Sequence, residues 1–201
     1  MLRTDYIILR KVPFQESSFV VSGISPDYGR LDFLLKGVRG TGARKFPCIG
    51  LFRVLGVEFR ENRTSSSLLY MSSYELKRDF DRIACYPENY IRLCGWIQFL
   101  LKHTRPMLEL HQTYRSFLLA LSRLCSPAGG EFQLAAAELV FLYESGFVPD
   151  MRENDPKRAA ALTALLAYAL EESAPEPEFS DEYRRRLIQW IHSLSRYADS
   201  V

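Results

Sequence analysis

The 201-residue sequence has only three histidines and four cysteines, and neither set is arranged to hold a metal. Cys48, Cys85, Cys94 and Cys125 contain no CxxC pair, and His103, His111 and His192 fall at no ligand spacing with one another or with cysteine. Three of the thiols lie in apolar stretches and read as small core hydrophobes. The signatures of catalysis are missing too: no GxGxxG opens a helix, and GxxxxGKS/T, GxSxG and HExxH do not occur. VRGTGARK superficially resembles a phosphate loop, but it leads into FPCIGLF, where Pro47 and Gly50 oppose the helix such a loop needs. The expectation is a non-enzymatic protein without metal or cofactor. No apolar run approaches the ~18 residues of a membrane span. The opening MLRTDYIILRKVPF is broken by Arg3, Asp5, Arg10 and Lys11, unlike a secretory leader. A cytoplasmic chain with no membrane partner is what these absences imply.

What is present is a polarised charge. Met1 to Arg82 holds fourteen Lys/Arg against nine Asp/Glu, a balance of +5, and the remainder holds twelve against fifteen, or −3. A basic first half points to an anionic partner there. The densest part is KGVRGTGARK, where Lys36, Arg39, Arg44 and Lys45 stand with no acid between them on a backbone loosened by Gly37, Gly40 and Gly42. Such a loop can follow a phosphate track, and phosphate neutralisation supplies most sequence-independent affinity for nucleic acid. Arg10, Lys11, Arg30, Arg60 and Arg63 surround it in sequence. Stacking on bases needs aromatic rings, and Phe14, Tyr28 and Phe59 are nearby. Phe33 and Phe59 alternate with charged neighbours as core residues do, which leaves Tyr28, in a turn, as the better stacking candidate.

The same half reads as strands. Apolar and polar residues alternate over Tyr6–Val12, Ser18–Ile24, Gly29–Lys36, Val54–Glu61 and Leu68–Glu75, separated by turn sequences such as SPDYG. Five short strands in about eighty residues suit a small barrel. The OB-fold is the commonest answer, with an SH3-like barrel as competitor. After Arg82 the period becomes helical. In PENYIRLCGWIQFLLKH, Tyr90, Cys94, Ile97 and Leu101 share a face; Leu110, Tyr114, Phe117, Leu121 and Leu124 mark a second helix. A third runs from Glu131 to Ser145 with Leu134, Leu139 and Leu142 on its apolar side and Gly146 as its stop. Asp155-Pro156 opens a fourth and Ser180 or Asp181 a fifth. The fold class expected is α+β: a five-stranded OB-fold barrel over residues 1–80 and an all-α domain over 81–201.

The stretch DYIILRKVPFQESSFVVSGISPDYGRLDFLLKGVRG resembles the opening of RecO recombination mediators. The matching features are Leu9-Arg10, Glu16-Ser17, Gly29-Arg30 and Lys36-Gly37, followed by GLFRVLGVEFRE and LLYMSSYEL. AAAELVFLYESGFVPD resembles a helical segment of the same family. No cysteine follows Cys125, so the four-cysteine zinc module of many members has no counterpart. The resemblance implies an OB-fold that binds single- and double-stranded DNA, anneals complementary strands and works with RecR in loading recombinase. Carried over, the DNA role falls to Arg10, Arg30, Lys36, Arg39, Arg44 and Lys45; the residues alone add Lys11, Tyr28, Arg60 and Arg63. It also implies that the helical half grips the tail of single-stranded-DNA-binding protein, although Ala135 to Ala137 stand where relatives often carry arginine. Two alternatives remain open: a RecO-like scaffold with little DNA affinity, and an RNA-binding OB-fold protein.

Overall fold

The computed structural model of the chain describes residues 1–36, 49–60, 68–127, 130–149 and 156–200. Five strands come first: β1 (Leu2–Phe14), β2 (Ser18–Ser25), β3 (Gly29–Leu35), β4 (Val54–Arg60) and β5 (Tyr70–Arg78). Five helices follow: α1 (Pro87–His103), α2 (His111–Leu124), α3 (Glu131–Glu144), α4 (Pro156–Leu170) and α5 (Asp181–Ser200), with a 3-10 turn at Asp81–Cys85 before them. Two compact units result, Met1–Asp81 with Ile97–His111, and Arg82–Trp96 with Gln112–Val201. They do not divide at residue 80, because the residues after α1 hydrogen-bond to the β2–β3 turn: Met107 N–H donates to Tyr28 O, and Leu110 N–H to Pro26 O, both at 2.8 Å.

In the first unit the strands lie in the antiparallel order β3-β2-β1-β4-β5. The sheet closes on itself through Leu69, whose N–H donates to Asp32 O at 2.8 Å and whose carbonyl accepts from Leu34 N–H at 2.9 Å, a parallel bridge opposite Phe33. Pairing of β1 with β4 and parallel closure between β3 and the start of β5 make this an OB-fold and remove the SH3-like alternative. β1 outruns its expected Tyr6–Val12 span because it serves two neighbours: Leu2 pairs with Phe59 of β4, and Phe14 with Ser18 of β2. Tyr6, Ile8, Val21, Leu31, Phe33, Leu55, Val57 and Phe59 fill the interior.

A bulge at Leu9 decides which side of β1 faces out. The β1–β2 register jumps between Ile8 and Arg10, and an extra residue exchanges the two faces of a strand beyond it. Before the bulge Tyr6 and Ile8 point into the barrel. After it Lys11, opposite core residue Val21, points inward, while Arg10, Val12 and Phe14 point out.

In the second unit α3 is the central helix. Every residue from Phe132 to Leu142 is buried, not one apolar side alone. The buried side of α1 is set by Asn89, Leu93 and Trp96, while the expected Tyr90 and Cys94 are only half-buried. Asn89 explains the rotation: its Nδ2 donates to Leu124 O and Ser126 O, both at 3.3 Å, at the end of α2. Hydropathy cannot register a buried amide used this way. Gly146 does end α3, in a left-handed conformation with φ of 76° and Phe147 N–H returning to Leu142 O at 2.8 Å.

One carboxylate sits inside this unit. Glu138 of α3 is buried; its Oε1 accepts from Ser195 Oγ, and its Oε2 lies 3.5 Å from His192 Nε2. Burial pushes the Glu138 carboxyl above its ordinary range, against the opposing pull of Ser195 and His192. A group that binds its proton more tightly folded than unfolded weakens the fold as pH rises through its folded value. Glu138→Gln is therefore expected to raise the melting temperature at neutral pH, with the gain shrinking as pH falls into the ordinary carboxylate range. Thermal unfolding at a series of pH values checks this; a gain that grows on acidification contradicts it.

Candidate nucleic-acid interface

Ten residues were expected to meet DNA, and the fold treats them differently. Arg39, Arg44, Lys45 and Arg63 lie outside the described residues. Lys11, turned inward by the bulge, donates from Nζ to Ile49 O at 2.9 Å and rests 4.2 Å from the centre of the Phe19 ring. Burial, and then the Arg53 charge, hold its ammonium below the usual lysine value. Arg30 is occupied as well. Nε meets Asp32 Oδ2 at 3.0 Å, and Nη1 donates to Leu101 O at 2.7 Å in the last turn of α1, where carbonyls lack helical partners. Tyr28 is half-buried, its ring edge-on to Phe59 at 5.4 Å between centroids. These three contribute to the barrel's cohesion.

The β2–β3 face, the usual track for single strands on an OB-fold, is closed in this chain. Its outward Ser22, Ile24 and Leu34 are buried, and Arg30 N–H donates to Arg105 O at 3.2 Å. Gly29 is required at this seam: its φ is 60°, and an added Cβ would stand 2.3 Å from Leu108 O. Arg30→Ala should cost the barrel about 1.5 to 3 kcal/mol, the range for hydrogen bonds to charged groups, without altering the salt dependence of DNA binding. Urea denaturation paired with binding titrations checks both; a reduced salt slope contradicts this role.

Lys36 and Arg60, by contrast, converge. Arg60 is the register partner of Tyr70, and Lys36 Nζ lies 5.2 Å from the centre of the Tyr70 ring. All three are exposed, Tyr70 by 46%, and among the described residues neither cation has an acidic partner. Tyr70 is the ring that sequence reasoning missed. Its place next to Leu69, which points in to close the barrel, was the available sign. Arg10 is also exposed, its Nη2 donating to Ser22 Oγ at 3.3 Å.

Ion pairing elsewhere sharpens this concentration of charge. Arg3 pairs with Glu58, Arg30 with Asp32, Arg53 with Asp81 and Lys77 with Asp5. Lys36 and Arg60 are in none of these pairs, and Arg39, Arg44, Lys45 and Arg63, outside the described residues, follow them directly in sequence. A separate cleft of about 710 Å³ is lined by Asp5, Asp27, Glu58 and Glu75 with Arg3 and Lys77, an acidic balance that disfavours phosphate.

Residues 1–80 match the family described as Recombination protein O N terminal. The first 80 residues are thus similar to the N-terminal domain of RecO proteins. No curated protein matches it. The RecO match agrees with the OB topology and supports a role of RecO type in DNA repair and recombination. No helix among the described residues is long and apolar enough to cross a membrane.

Proposed function

We propose that this RecO-type chain is a cytoplasmic DNA-binding mediator that holds DNA at the Lys36–Tyr70–Arg60 end of its barrel, anneals complementary strands and assists recombinase loading with RecR. The observation that carries this reading is the exposed Tyr70 ring between two cations that have no acidic partner among the described residues. Phosphates bind the cations, and a base face binds the ring. Arg39, Arg44, Lys45 and Arg63, outside the described residues, are the further cations this reading enlists. Annealing follows physically when one surface screens the repulsion between two phosphate backbones without covering the pairing edges of the bases. Two complementary strands carrying a fluorescence-transfer pair should anneal faster with the protein than without it, and the Lys36→Ala, Arg60→Ala double variant should lose most of the acceleration. Unaccelerated annealing by the intact chain counts against the reading.

A scaffold reading draws on the helical unit. A cleft of about 620 Å³ there combines Phe132 and Ile188 with Arg184 and Arg185, but Glu131, Glu176 and Asp181 line it too and Glu176 pairs with Arg184 at 2.7 Å, an acidic balance that disfavours an acidic tail such as that of single-stranded-DNA-binding protein. Ala135 to Ala137 are buried in the bundle core, so they present no side chain to such a tail. Co-elution with RecR by a chain that binds no oligonucleotide would favour this scaffold.

A further inference from the structure

Beyond Ile7, β1 no longer pairs with β4, and from Arg10 to Phe14 its ladder partner is β2 alone. Arg10, Val12 and Phe14 project from the outer side of this ribbon, and every residue from Val12 to Ser17 is exposed. Val12 is 43% and Phe14 38% accessible. Apolar groups left wet at a hairpin tip cost solvation free energy, and this tip is not slack. Pro13 fixes one φ, Gln15 holds a left-handed φ of 53°, and Ser18 at its base is buried.

Register brings the tip near the cation cluster. Phe14 pairs with Ser18, and Phe19 pairs with Leu35, the neighbour of Lys36. Phe14 thus stands roughly 10 Å from Lys36, two strand spacings. Charge then separates the two places. Arg10 and Lys36 flank the ribbon's base, while residues 12–17 carry Glu16 and no cation. A phosphate is repelled at the tip, whereas a base is not.

We propose that the β1–β2 tip is a base-stacking finger. Phe14, backed by Val12, takes the face of an unpaired base while Lys36 and Arg10 hold neighbouring phosphates. The preferred ligand is then a nucleic acid with unpaired bases, because in a duplex each base face is already covered by its neighbours. The finger rests on the proposed nucleic-acid function of the barrel and extends it to strand preference.

The test uses the full chain and three labelled probes of equal length: a thymidine strand, an abasic strand and a duplex. Phe14→Ala is expected to weaken binding to the thymidine strand about tenfold, the loss of one base stack, and to leave the abasic strand and duplex unchanged. Phe14→Trp should retain affinity, and the introduced indole's emission, above the background of Trp96 and Trp190, should be quenched by the thymidine strand but not by the abasic one. Equal loss on all three probes overturns the finger, as does an unquenched indole with no loss in Phe14→Ala. If the Lys36→Ala, Arg60→Ala variant weakens all three probes while Phe14→Ala weakens none, the finger falls and the barrel's DNA role stands. If the unmodified chain binds no probe, both fall.

Discussion

Replacing Lys36, Arg39, Arg44 and Lys45 together by alanine is expected to remove most of the salt dependence of single-strand binding. Each neutralised phosphate on a single strand contributes about −0.7 to the slope of log affinity against log salt. Five contacts, these four and Arg60, give about −3.5, and one remaining contact gives about −0.7. Affinity at about 0.2 M salt should fall by roughly two orders of magnitude, and by more as salt is lowered, because the lost free energy is that of released counterions. Lys36 is exposed at the end of β3, and circular dichroism of the variant separates a lost contact from a lost fold. An unchanged slope would move the phosphate track away from this end of the barrel.

Phe33→Ala is expected to have the largest effect on stability. Phe33 is wholly buried, edge-on to Tyr6 at 5.1 Å and to Phe59 at 5.5 Å, and Phe59 in turn meets Tyr28. Its strand also carries the bridge to Leu69 that closes the barrel. Emptying such a site costs about 3 to 5 kcal/mol in lost transfer free energy and residual cavity, with each edge-to-face pair adding roughly 0.5 to 1.5. That is a large share of the ~5 to 15 kcal/mol that holds a domain together. Phe33→Leu should recover most of it. Denaturant unfolding followed by near-ultraviolet circular dichroism measures the difference, and a loss below about 1 kcal/mol would mean that the core repacks around the gap.

The architecture was legible because its signals are periodic. β2 to β4 and all five helices begin within a few residues of where alternation, turn residues and caps placed them, and Phe33 and Phe59 are core as their alternation implied. The site was harder to read, for reasons specific to single residues. The bulge at Leu9 leaves no mark in YIILRKVPF, where Ile7, Ile8 and Leu9 are apolar on both sides of it, so Lys11 counted as a free cation when it faces the core. Arg30 and Tyr28 carry fold contacts that local sequence does not display, because Arg30 meets Leu101, 71 residues away, and the Tyr28 ring meets Phe59 within the barrel. Tyr70 went unmarked because barrel closure, not local sequence, brings it to Lys36. Long-range pairing decides which cations are spent on the fold and which are left for a partner.

Single-stranded DNA is proposed to bind the barrel through cations that include Lys36 and Arg60. Fluorescence anisotropy of a labelled single strand, titrated with the intact chain at a series of salt concentrations, tests it most directly. Binding at low salt that weakens with a slope of about −3.5 is the predicted result. No binding at low salt, or binding indifferent to salt, would contradict it.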